Sequence, residues 1–298
     1  MSTVINYTVK CAVCEKESKQ ARIMSYSTFG YPDLDFRPAS MLRETMEYWL
    51  HECPYCGYIN TNLDNPCDLS LEAISDIYEE VESGFDWGQL PDRDYYAIRC
   101  AKLSMLNGST GHDKAAEERF LNRTLRLHDD ALQFAKLGAA LAKLNDYSGA
   151  AKQFLRVAWI FDDNRDEQAA THWRKAAIEQ VKIMMNRQQT QVTEETICIY
   201  ADMSRRVGDF LPVFRLFEQF QPIEIDISDD NFIEKYGHLT MNEFTNMLEN
   251  RKELSEQGYR LIKFQKELAE REDRAAHTID EASKTATENH QPGMFFSL

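Results

Sequence analysis

Along the chain the spacing of apolar positions changes character once, decisively. Near the start, Tyr7-Thr8-Val9-Lys10 alternates apolar with polar, the period-two pattern of a strand with one covered face. Tyr58-Ile59 repeats that style further on. From Leu69 the period becomes helical, with Leu71, Ile74, Tyr78 and Val81 on one helix face. The stretch Asp86-Trp87-Gly88-Gln89-Leu90-Pro91-Asp92 interrupts it and predicts a turn. The clearest helical pair lies between Ala131 and Asn164: Phe134, Leu137, Gly138 and Leu141, then Asn145-Asp146-Tyr147, then Ala150, Phe154 and Val157. A second copy reads Ile197, Tyr200, Ala201, Gly208-Asp209-Phe210, Val213, Phe217 and Phe220, closed by Pro222. An earlier, degenerate one runs from Tyr95 through Leu103 and Asn107-Gly108 to Ala116, Phe120 and Leu127. Glu167 to Arg187 supplies a further helix, broken by Gln188 to Val192.

Phe120 and Phe154 are 34 residues apart. That is the length of a tetratricopeptide repeat, and small residues at the helix crossing with large ones in the gaps match its pattern. One helix hairpin cannot cover its own apolar face, so stacking follows. Such arrays hold peptides or helices in a concave groove lined by the first helix of each pair. Here the expected groove positions are Leu132, Ala135, Ala139 and Ala142, with Lys143 beside them. They are small and apolar, which suits a packed helix better than a terminal carboxylate. The later repeat adds Asp202, Arg205 and Arg206, and the helix before it Arg174, Lys175 and Lys182, a basic stripe for acidic partners.

Leu239 to Arg274 reads as one long charged helix, with Thr240 as N-cap and Glu243 completing a capping box. Met247, Leu254, Leu261 and Leu268 recur every seven residues, although Arg251 and Gly258 interrupt the seam. Such a helix either caps the array or pairs with a second copy. Ser283 to Pro292 is polar enough to be disordered, yet the chain ends in Gly293-Met294-Phe295-Phe296-Ser297-Leu298. Phe295 and Phe296 on a tether are expected to dock, on this chain or another.

Charge narrows the partners. The net charge is −15, which repels phosphate backbones and anionic membrane surfaces alike. Nucleic acid is therefore disfavoured, although Lys10, Lys16, Lys19 and Arg22 form a modest basic face. No apolar run reaches the ~20 residues that span a bilayer. Met1 to Lys10 lacks the basic start and apolar centre of a signal peptide, so the reading is cytoplasmic.

In that compartment, paired cysteines point to metal. Cys11-Ala-Val-Cys14 and Cys53-Pro-Tyr-Cys56-Gly57 each let a tight turn aim two sulfurs at one ion, and together they make a four-thiolate zinc site. Pro54 sets the turn entry, and Gly57 supplies the positive φ that ends such a knuckle. A thioredoxin-like redox pair would need one such motif in a βαβ unit. Four thiolates leave no position for a reactive water, so one structural Zn2+ per chain is expected. The 38 residues between Cys14 and Cys53 exceed the gap of compact zinc modules and must carry structure of their own. Cys67, Cys100 and Cys198 are single thiols, and the histidines, His112 and His128 included, show no metal or triad spacing.

Inside that insertion lies Phe29-Gly30-Tyr31-Pro32-Asp33-Leu34-Asp35-Phe36-Arg37-Pro38, followed by Met41, Arg43, Thr45, Met46 and Trp49. With the Cys-Pro-Tyr-Cys-Gly-Tyr run, this resembles a bacterial family of unknown function. That family reads Asp-Leu-Asp-x-Arg-Pro, then a Met/Arg/Thr/Trp segment, then Cys-Pro-x-Cys-Gly-Tyr. The resemblance implies a zinc ribbon followed by tetratricopeptide-like helices, and no activity. Taken as extended chain, Asp33, Asp35 and Arg37 would share a face. They read either as a loop that Arg37 and Arg43 tie down, as a recognition surface, or as the carboxylates of a hydrolase.

The expected fold is thus mainly α, with a small β zinc ribbon ahead of a helical solenoid and a long C-terminal helix. The segments are 1–66, 67–222, 223–282 and a tail, 283–298. The expected function is a non-catalytic scaffold for a protein or peptide partner, or for a second copy through the C-terminal helix or tail. A zinc-ribbon regulator associated with nucleic acid and a hydrolase using Asp33, Asp35 and Arg37 are the alternatives.

Overall fold

The computed structural model describes residues 3–26, 29–43, 45–85, 129–187, 192–220 and 254–288. They form a mainly helical protein with small N-terminal β-hairpins and a cysteine cluster. The chain divides into two compact units, Met1–Val192 and Thr193–Leu298, and the division falls inside the stretch 67–222 that the sequence pattern treats as one array. The expected turn at Asp86 to Asp92, the degenerate repeat from Tyr95 to Leu127, Thr240 and the tail with Phe295 and Phe296 lie outside the described residues.

In the first unit, β1 (Thr3–Lys10) and β2 (Glu17–Ser25) pair antiparallel, as do β3 (His51–Glu52) and β4 (Ile59–Asn60). The alternation expected around Tyr7 is present: Ile5, Tyr7 and Val9 are covered while their neighbours face water. The long insertion folds as β2, a short helix α1 (Ser40–Arg43) and a 3-10 turn, Met46–Tyr48. Helix α2 (Leu71–Gly84) starts at Ser70, whose side chain accepts the Ala73 N–H at 3.2 Å. It buries Ile74 and Tyr78, and the Tyr78 hydroxyl accepts the Ile59 N–H at 3.2 Å, which ties α2 to β4.

Among the described residues this unit has three further helices: α3, described over 129–143, α4 (Tyr147–Asp163) and α5 (Glu167–Asn186). Connections of three residues oblige successive helices to run antiparallel. Both turns use one device. Asn145 (φ 63°) and Arg165 (φ 60°) are left-handed, and the next residue, Asp146 or Asp166, donates its N–H back to Leu141 or Phe161. The same aspartates then cap the following helix by accepting the N–H of Gly149 and Ala169. Gly138 sits where α3 and α4 approach: a Cβ there would lie 2.8 Å from the Phe154 ring. Phe154 and Phe85 in turn meet Trp173 of α5 at centroid distances of 5.9 and 4.9 Å, an aromatic core whose flanks are alanines of α4 and α5.

The second unit holds α6 (Glu194–Arg206), α7 (Leu211–Phe220), α8 (Glu256–Glu270) and α9 (Ile279–Glu288), with α8 packed on α6, α7 and α9. The helix expected to run unbroken from Leu239 to Arg274 is interrupted. Ser255 is extended and accepts the Gly258 N–H at 3.1 Å, so α8 begins there, and Glu194 reaches over from α6 to bind the Ser255 N–H and hydroxyl. Leu261 and Leu268 of the heptad seam are buried inside this unit, and Gln265 donates to the Cys198 carbonyl. The segment from Ser283, expected to be disordered, continues α9 as far as Glu288. Gly208 and Glu272 repeat the left-handed turn, with Asp209 and Asp273 donating back to Ser204 and Leu268.

Candidate metal centre

Each Cys-x-x-Cys pair occupies the turn of one hairpin. Cys11 and Cys14 follow β1 and lead into β2; Cys53 and Cys56 connect β3 to β4. The two turns are built alike. The Glu15 N–H donates to the Cys11 carbonyl and the Gly57 N–H to the Cys53 carbonyl, both at 2.9 Å. The Cys11 N–H donates to Lys16 O at 3.0 Å and the Cys53 N–H to Tyr58 O at 2.9 Å. Gly57 has the positive φ (72°) that its position predicts. Glu15 holds the same place in the first knuckle at φ 61°, a conformation costly for any residue with a Cβ. Its side chain pairs with Lys10 in an exposed ion pair that adds little. Glu15→Gly is therefore expected to stabilise the ribbon by about 1 kcal/mol, read as a raised thermal midpoint at unchanged metal content.

All four Sγ atoms lie within 4.8 Å of one another, with Cys11 to Cys56 at 3.7 Å and Cys14 to Cys53 at 3.6 Å. Sulfurs at the corners of a tetrahedron with metal–sulfur bonds of ~2.3 Å would be ~3.8 Å apart, so the donor set fits a tetrahedral divalent ion. Charge supports the fit. Burial raises the thiols of Cys11 and Cys56, and the neighbouring sulfurs push Cys56 further up. At Cys14 burial is outweighed by the Lys16 amide and by hydrogen bonds from the other sulfurs, and the thiol falls to about 7. Four thiols this close cannot all ionise unaided, whereas a central cation takes all four as thiolates. These residues could hold a metal ion, and Cys67 is not one of the group.

The Asp33–Arg37 segment is not extended. The Phe36 N–H donates to Asp33 O, the Asp33 N–H to Arg37 O, and Phe36 is left-handed at φ 60°, so the chain folds into a tight turn. Its side chains diverge. Arg43 binds Asp33 at 2.9 Å and the Pro38 carbonyl at 3.2 Å, as expected of a tied loop. Asp35 is fully buried and takes the Trp159 indole N–H at 2.7 Å, and Arg37, 4% exposed, pairs with Asp163. Burial lowers the Arg37 guanidinium, which Asp163 opposes. Trp159 and Asp163 were not foreseen. They stand four apart on α4, one turn of helix, and that spacing beyond the core run was the available signal.

The expected groove residues separate. Leu132 and Ala139 are half-covered and Lys143 is exposed, but Ala135 is buried. The basic stripe is corrected more strongly. Arg205 has no exposed surface: it binds Asp202 at 2.6 Å and the carbonyls of Asp273 and Ala275 at 2.6 and 2.9 Å, so it braces its own unit. Arg174 is likewise buried and paired with Asp162, and Lys182 binds Glu179. Arg206 is half-covered.

No helix among the described residues is long and apolar enough to cross a membrane. No curated protein and no solved structure matches the chain. Residues 4–221, from the first strand through both cysteine pairs to the end of α7, match one family throughout. The chain belongs to the family described as an uncharacterized protein conserved in bacteria, DUF2225.

Proposed function

We propose that this protein is a non-catalytic scaffold for protein–protein interaction, acting in the cytoplasm, whose N-terminal module is held by one structural zinc ion. The reading rests on where apolar surface is left in water. Of the eight large hydrophobic side chains exposed among the described residues, six are on the ribbon and its insertion: Val4, Met24, Tyr26, Phe29, Tyr31 and Tyr55. Contiguous exposed apolar surface marks an interaction site more often than any other role. A hydrolase reading has less support. Asp35 and Arg37 are buried against α4, and Asp33 is bound by Arg43, so the set meets no shared cleft. The α3–α4 pair, with its close crossing at Gly138, is the part of the chain that best suits a tetratricopeptide-type groove, with Leu132, Ala139 and Lys143 facing a second partner segment.

Photo-cross-linking in living bacteria tests the scaffold. A photoreactive residue at Phe29 is expected to yield discrete protein adducts, and the same group at exposed Glu72 on α2 is expected to yield none. Absence of adducts at Phe29, or turnover by the purified chain that survives loss of those contacts, would overturn the reading.

A further inference from the structure

Between β2, the Met46–Tyr48 turn and β3 lies a hollow of about 300 Å³, lined among others by Tyr7, Arg22, Tyr26, Trp49, His51 and Asn62. Neither the metal nor the buried turn uses it. We propose that this hollow binds an acidic peptide segment carrying one aromatic side chain, a reading that rests on the scaffold role and specifies its ligand.

Three observations choose that ligand. The first is charge. Arg22 lies over the Tyr7 ring at 4.8 Å, and no carboxylate forms an ion pair with it among the described residues. Burial raises the Tyr7 phenol, and of the two charges felt there Arg22 outweighs Asp64. Arg156 stands 5.1 Å from the ring of the same Trp49 and 5.6 Å from Phe134, with Gln153 as its hydrogen-bond acceptor. It too has no carboxylate partner among the described residues. Arg22 lines the hollow, and Arg156, which does not line it, stands against the Trp49 ring that does; in a chain of net charge −15 they make a local positive site.

The second is a missing donor. Asn62 Oδ1 is buried without a hydrogen-bond partner. A buried acceptor in that state calls for an N–H or O–H from whatever fills the space. A peptide offers backbone N–H groups next to side-chain carboxylates, whereas a phosphodiester backbone carries no donor.

The third is shape. Tyr7, Tyr26 and Trp49 bound a space at the small end of ligand sites, enough for one aromatic ring and its flanking backbone. Tyr26 is also exposed, and so are Met24 two residues before it and Tyr31 five residues after it, which suits a chain rather than a small molecule.

Fluorescence anisotropy on the full zinc-loaded chain tests this with four labelled probes. They are a synthetic twelve-residue peptide with a central phenylalanine among aspartates and glutamates, the same peptide with lysines for the acids, the same with alanine for the phenylalanine, and a twelve-nucleotide single strand. The acidic aromatic peptide is expected to bind and the other three to bind at least tenfold more weakly. Arg22→Glu is expected to weaken the first probe by tenfold or more, and Tyr26→Ala by about fivefold, with zinc content unchanged because both side chains are exposed. No binding of the first probe, equal binding by R22E, or preference for the nucleotide strand would overturn the assignment. Adducts at Phe29 that persist in R22E would leave the scaffold standing and remove the hollow from it, so the two failures are distinguishable.

Discussion

Replacing both Cys53 and Cys56 by serine is expected to reduce zinc from one ion per chain to none and to unfold the ribbon. Serine keeps the size of the side chain but offers no thiolate, and two remaining sulfurs do not complete a tetrahedral site. Structural zinc contributes about 10–16 kcal/mol in small zinc modules at neutral pH, as much as a whole domain's net stability of about 5–15 kcal/mol. The second hairpin has little else: β3 and β4 are two residues each, and a lone hairpin is marginal in water. Loss of the ribbon also frees Asp35 and Arg37 from Trp159 and Asp163. Elemental analysis of purified protein, with limited proteolysis over 1–66, reads both effects, while the helical signal of α4 and α5 persists. A wild-type chain without metal, or a variant whose ribbon resists protease, would refute the expectation.

The metal site was legible because its chemistry is local. Two residues between cysteines dictate a knuckle, and Gly57 announces the left-handed end of one of them. Glu15 does the same duty in the other without any glycine to announce it. The α3–α4 hairpin was legible for a similar reason: Asn145-Asp146-Tyr147 reads as a turn, the chain turns at Asn145 and Asp146 just before α4, and Gly138 marks the crossing. What escaped was long-range. Asp35 meets Trp159 across 124 residues and Arg37 meets Asp163 across 126, and no spacing rule reaches so far. The basic stripe failed because charge pattern alone does not distinguish a solvated arginine from one buried beside a carboxylate. Arg205 and Arg174 are of the second kind.

Arg205→Ala should cause the other large effect, a loss of about 3–5 kcal/mol in the second unit. Asp202 is 2% exposed and would remain as a buried carboxylate without its countercharge. The carbonyls of Asp273 and Ala275 would lose their donors as well, releasing the link between α8 and α9. Urea unfolding followed at this unit reads the loss as a lower midpoint with little change in slope. Asp202→Leu combined with Arg205→Met is expected to recover much of it, since apolar residues of similar volume often replace a buried pair without cost. A midpoint unchanged in Arg205→Ala would show that the pair contributes nothing. A partner assay on the same variant separates bracing from recognition: binding falls only as far as folding does.

The contacts that fasten the buried turn to α4 also set an order on synthesis. The ribbon leaves the ribosome first, yet Trp159 and Asp163 follow Asp35 and Arg37 by 124 and 126 residues. At bacterial-like elongation of about 5–20 residues per second, that delay is on the order of 10 s. During it the knuckles, complete once residue 58 has emerged, can take up their ion, because every ligand is already present. The helices close later over three-residue turns at little entropic cost. Capture of the ion that these four cysteines could hold would thus precede docking, and in a cell short of that ion nascent chains would accumulate whose helices have no ribbon to receive.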